Sequence, residues 1–149
     1  MPRAAIVLCA VLLASPVAAQ DVTGACTDGS LWWATGDAAG LGPCDTPEDG
    51  VFRIVCSDGT PALTVVSPYP IAEAQRGTVD RTVDGTTWRL EGRGTPMART
   101  GDMGLADAPL PSDARAALAG GIAARLDMPT QTRPFHLTGS GAALAALPC

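Results

Sequence analysis

The chain has 149 residues, fifteen acids against ten basic residues and one histidine, and a formal charge of −5. Every basic residue is Arg, while Lys and Asn are absent. No basic block offers a phosphate-binding face, which argues against a nucleic-acid partner, and a chain without Asn carries no N-glycosylation sequon. The two missing residues share AT-rich codons, a pattern of GC-rich bacterial genomes.

The first element expected is a secretory leader over residues 1–19. A short positive end, Met1-Pro2-Arg3, precedes an apolar run from Ala4 to Ala14, and Ser15-Pro16-Val17-Ala18-Ala19 supplies the small residues that the peptidase requires. That run is too short to cross a bilayer as a helix, so no integral membrane segment is expected after cleavage. Cys9 is not a lipid site, because Leu8 stands where a small residue would be needed. About 130 residues then remain, the size of one ordinary domain.

Residues 20–50 read as an acidic, disulfide-pinned N-terminal segment, loop-like and of one domain with the β-rich residues 51–149. The segment holds Asp21, Asp28, Asp37, Asp45, Glu48 and Asp49 and no Arg, whereas residues 51–149 hold nine Arg against nine acids. The net negative charge of the mature chain therefore lies in this first part. The Asp45-to-Gly50 run lacks the alternating ligand spacing of a calcium loop, so a solvated surface is the preferred reading. Trp32 and Trp33 are neighbours, and in an extended segment they point to opposite faces, one to the core and one toward the surface. Trp32, Trp33, Asp45, Glu48 and Asp49 are accordingly the candidate binding residues.

Val51 to Cys56 alternates Phe52, Ile54 and Cys56 against Val51, Arg53 and Val55, and Ser57-Asp58-Gly59-Thr60 turns it into a second strand, Ala62 to Ser67. A clearer hairpin runs from Thr78 to Glu91 around Asp84-Gly85, a dipeptide suited to a type I′ turn, with Trp88 and Leu90 toward the core. A short strand is expected near Met97 to Arg99. Pro111-Ser112-Asp113 opens a helix near 113–119 with Ser112 as cap. Ile122, Ala124, Leu126 and Met128 share one side of a further strand, Pro134 to Leu137 is its partner, and Gly139-Ser140-Gly141 opens a C-terminal helix near 140–147.

Cys26, Cys44, Cys56 and Cys149 make an even count in an exported chain, which points to two disulfides and away from a metal site, since no C-x2-C pair exists and His136 stands alone. Four cysteines permit three pairings. A Cys26–Cys44 bridge would pin the N-terminal segment, and Cys56–Cys149 would tie the C-terminus to the sheet; by loop-closure entropy the first is worth about 3 kcal/mol and the second about 4 to 5.

Three features resemble exported bacterial β-sandwich domains of the type VI secretion accessory group called TagO or VasI. They are the strand and turn Val51-Phe52-Arg53-Ile54-Val55-Cys56-Ser57-Asp58-Gly59, the charged hairpin from Val79-Asp80-Arg81 through Trp88, and the closing run from Phe135 to Leu144 with Cys149 beyond it. That closing run is also similar to the invasion-associated locus B proteins. The resemblance covers residues 51–149 and implies a non-catalytic envelope protein whose surface meets a protein partner.

A mostly β, sandwich-like domain with two helices and two disulfides is therefore expected, periplasmic or secreted, binding an envelope protein or a cell-wall glycan. No catalytic residue, cofactor or metal is assigned. The competing reading is a small envelope hydrolase with Ser140 as nucleophile, His136 as base and Asp127 or Asp113 as third member. Ser140 is flanked directly by glycines where a nucleophile elbow wants them two residues away, so a hydroxyl capping the C-terminal helix is preferred. An inhibitor of a lytic enzyme is a third possibility.

Overall fold

Three Asp-Gly pairs set the course of the chain. Asp28-Gly29, Asp58-Gly59 and Asp84-Gly85 all have positive φ at both residues, between 46° and 88°, as a type I′ turn demands. Each folds the backbone directly back on itself. The computed structural model describes residues 21–50, 52–67, 70–97, 101–129 and 131–149. The expected leader lies outside them, as do Val51 and the Ala98-Arg99 part of the strand expected near Met97.

Among the described residues ten strands form: β1 (Val22–Thr23), β2 (Ser30–Thr35), β3 (Ala38–Pro43), β4 (Phe52–Ser57), β5 (Thr60–Val66), β6 (Arg76–Val83), β7 (Thr86–Pro96), β8 (Met103–Pro109), β9 (Ala123–Met128) and β10 (Gln131–His136). They form one antiparallel sheet in the order β1-β2-β3-β4-β5-β8-β7-β6-β9-β10. The sheet curls, so its far ends meet: the Trp32 indole N–H on β2 donates to His136 O on β10 at 2.9 Å. Twist accumulated over many strands is what brings such edges round.

One apolar cluster fills the concave side, drawing Trp32, Ile54, Leu63, Val79, Leu90, Leu105 and Leu126 from seven strands. Phe52 packs edge-on against Trp32 with centroids 5.7 Å apart and lies 5.5 Å from Phe135. Alternation explains the choice of faces. Phe52 and Ile54 are buried while Arg53 and Val55 are half-buried on the other side, as expected.

Helix α1 (Ser112–Gly120) follows β8 and helix α2 (Ser140–Ala145) follows β10. They pack on one another, and α2 also lies against β1, β2 and β3. Leu118, Leu144 and Leu147 enter the core there. Arg115 binds α1 to the C-terminus, donating to Leu144 O at 2.6 Å and to Cys149 O, where a cation also suits the negative end of α2. Both disulfides form as argued, Cys26–Cys44 and Cys56–Cys149, each with Cα atoms 5.7 Å apart.

Several local expectations need correction. Residues 30–43 are not a loop but the β2–β3 hairpin, and Met103–Pro109 is a central strand. Ser112 is the first helical residue and caps nothing; Pro111 takes the capping position. Ile122 is 86 % exposed and precedes β9, because Asp84 accepts its backbone N–H and that of Ala123.

Candidate functional site

The acidic segment folds down as a lid on the outer face of β2 and β3. A 3-10 turn, Pro47–Asp49, packs on both strands. Contact is close enough that a Cβ added to Gly42 would collide with Pro47 O, and one on Gly50 with Leu41 O. Only glycine permits that approach. With Cys26–Cys44 closing the hairpin, residues 21–50 are a built part of the domain.

The two tryptophans point to opposite faces of β2, as alternation requires. Trp32 is fully buried in the core, so it reaches no partner. Trp33 stands on the outer face outside the core cluster, yet it is only 6 % exposed and its buried indole nitrogen has no hydrogen-bond partner among the described residues. A cavity of about 460 Å³ lies against it, walled by Asp21, Thr35, Thr46, Glu48 and Asp49 among others. Glu48 and Asp49 also border a second cavity, of about 320 Å³, across Arg53, Val55 and Thr64 of β4 and β5. Of the five expected binding residues, the fold thus unites Trp33, Glu48 and Asp49. Asp45 is exposed and lines neither cavity. Asp21 was missed as a wall because β1 is two residues long and leaves almost no sequence pattern.

Ser140 and His136 are not brought together. Ser140 is fully buried, and its hydroxyl donates to Leu118 O and Leu137 O, both at 2.7 Å. Its expected role as helix cap is overturned, because Gly139 is the capping residue and the hydroxyl engages carbonyls, not N–H groups. His136 Nε2 lies 3.3 Å from Ser30 O and 3.1 Å from Ser30 Oγ, and the carbonyl contact requires Nε2 to carry the proton. Asp113 accepts from Trp88 Nε1 and Ala114 N, and Asp127 accepts from Arg125, Thr132 and Thr82. Those donors hold both carboxyls below their usual range, Trp88 contributing most at Asp113 and Arg125 at Asp127. Among the described residues no cluster of His, Cys, Asp or Glu is suited to a metal ion.

Arg81, which no sequence signal singled out, is the most unusual side chain in the molecule. It sits on β6 between Val79 and Val83, whose side chains face the core, and is itself fully buried. Among the described residues none of its three guanidinium nitrogens finds a hydrogen-bond partner. Its guanidinium carbon lies over the face of Phe52, 5.2 Å from the ring centroid. Burial pushes its pKa down to about 9, which leaves it charged at neutral pH. An unpaired buried cation is strongly unfavourable, and a cation–π contact offsets only part of that.

Comparison with known protein families, curated proteins and solved structures finds no match. The likeness to the TagO/VasI group and to the locus B proteins accordingly rests on sequence pattern alone.

Proposed function

We propose that this protein is a non-catalytic, exported binding domain of the bacterial envelope, periplasmic or secreted, whose acidic N-terminal segment engages a basic face of an envelope protein. The carrying observation is that Trp33, Glu48, Asp49 and Asp21 wall one cavity on a segment fixed by a disulfide. Carboxylates gathered around one recess attract a cationic side chain more strongly than carboxylates spread apart over a surface. Rigidity lowers the ordering cost of binding. Two disulfides fit an oxidising compartment, and no helix of the described residues is long and apolar enough to cross a membrane.

A protein partner is favoured over a cell-wall glycan because Trp33 is only 6 % exposed, leaving little ring face on which a sugar could stack. The hydrolase reading gains no support from Ser140, whose hydroxyl is committed to two carbonyls. Inhibition of a basic lytic enzyme would be one instance of the proposed binding.

The test compares residues 20–149 with a variant carrying Asp21→Asn, Glu48→Gln and Asp49→Asn as baits for envelope extract. A specific prey retained by the first, lost by the second and released by salt is the expected result. Equal retention by both baits would sink the reading.

A further inference from the structure

Two neighbours of Arg81, though not Arg81 itself, wall a cavity. A pocket of about 460 Å³, separate from the one at Trp33, opens between β3–β4 and β9–β10, with Leu41, Phe52, Leu126, Pro134 and Phe135 among its walls. Two of those walls are the immediate neighbours of Arg81. Leu126 is its cross-strand partner, so both side chains share one face, and Phe52 is the ring that its guanidinium covers. The volume falls within the range of small-molecule sites, and the lining is mostly apolar with a few polar groups at Ser30, Arg133 and His136, the make-up of such sites.

We propose that the interior of the curled sheet binds a monocarboxylate with an apolar body, its carboxylate paired with Arg81 and its body filling the pocket bounded by Leu41, Phe52, Leu126 and Phe135. Phe52 contacts the guanidinium and also walls the pocket, so a change of its rotamer, slower for a buried ring than for an exposed one, is the motion by which the guanidinium reaches the ligand. The inference is independent of the acidic segment and of its protein partner.

Three observations select the ligand class. Arg81 presents a planar fork of N–H donors, all unmatched, which a planar carboxylate satisfies in bidentate fashion. Its pKa is perturbed by burial and by no neighbouring carboxylate, so among the described residues nothing already supplies the counter-charge. Arg133 and Asp28 both stand at the pocket wall, one charge against the other, so Arg81 is the cation left to match. A phosphate dianion would bring a second charge into that apolar space without a partner, whereas a monoanion leaves the interior neutral.

Decanoate and decanol are the probes, compared by calorimetry and thermal shift on residues 20–149 and on the Arg81→Met variant. Decanoate should raise the melting temperature of the parent protein and bind it about ten- to a hundredfold more tightly than decanol, the usual worth of a charged hydrogen bond. Arg81→Met should erase that preference and, having lost an unpaired buried charge, melt no lower than the ligand-free parent. If Arg81 only braces Phe52, the variant melts lower and both probes behave alike on both proteins, which overturns the proposal. Should Arg81→Met fail to fold, the parent alone decides: equal shifts from decanoate and decanol, or none from decanoate, overturn it too.

Discussion

Cys26–Cys44 closes a span of 18 residues along one hairpin, whereas Cys56–Cys149 joins positions 93 apart and fastens the last residue to the sheet. Around the first bridge lie an exposed acidic turn, a short edge strand and a cavity. The second bridge is half-buried against the core cluster, and Arg115 bonds the Cys149 carbonyl and Leu144 O beside it. One region is held in shape so that it can present a surface; the other is held so that the sheet stays covered. Damage to the two should separate binding from stability.

The widest gap is expected between the bridges themselves. Cys149→Ala or Cys56→Ala should lower unfolding free energy by about 4 to 5 kcal/mol, and Cys26→Ala or Cys44→Ala by about 3, since the longer loop restrains the unfolded chain more. Chemical denaturation of the single variants checks this, with peptide mapping without reduction to establish the pairing. Equal losses would mean that the native strain or the reduced state, and not loop length, governs the difference.

Ser140→Ala tests the covered region without touching sulfur. It removes a donor from the Leu118 carbonyl in the interior and leaves Leu137 O the Ser140 backbone N–H, so a loss of about 1 to 3 kcal/mol is expected, with binding to a basic partner unchanged. A loss of binding with stability intact would restore a functional role for the serine.

Gly42→Ala does the converse. Its methyl meets Pro47 O and displaces the acidic turn, so partner affinity should fall while stability drops by only about 1 kcal/mol, because an exposed turn can shift where a core cannot. Binding assays and melts on the same sample distinguish the two effects.

The smallest effect is in acid. Asp80, held down chiefly by Arg89, joins Asp113 and Asp127 as carboxylates below their ordinary pKa. A depressed folded pKa means that the unfolded chain binds more protons, so the stabilisation is present above roughly pH 4 and is lost as pH falls through the folded values. All three are exposed enough for salt to weaken them. Melting temperature should be flat near neutrality and decline gently below roughly pH 4, less so in the Arg89→Gln variant.

Legibility in the sequence followed alternation. The β4–β5 and β6–β7 hairpins stand out because one face is apolar and the other polar, and each is joined by Asp-Gly. Strands β2, β3 and β8 are covered on both faces and built partly of Gly and Ala, so period-two contrast vanishes in Leu31-Trp32-Trp33-Ala34 and Gly104-Leu105-Ala106. Disulfide pairing was readable from loop lengths and termini. Trp33, Glu48 and Asp49 could be nominated from charge and aromaticity, but Asp21 joins them only through a sheet edge. Arg81 was invisible for a plainer reason: in the run Thr78 to Val83 it reads as an ordinary inward position filled by a polar residue, and nothing local says that it lacks a partner.

The three turns with positive φ carry a consequence for how this protein ages. Asparagine before glycine is the commonest choice for such turns, and it is also the pair whose side-chain amide is lost fastest through a cyclic imide. Here every one of these turns uses aspartate, in a chain with no asparagine at all. Aspartate cyclises by the same route more slowly, and reopening returns a carboxylate, so the charge at the hairpin tips does not drift. A stored sample should keep one band on isoelectric focusing long after an asparagine-tipped hairpin protein of similar size has split into an acidic ladder.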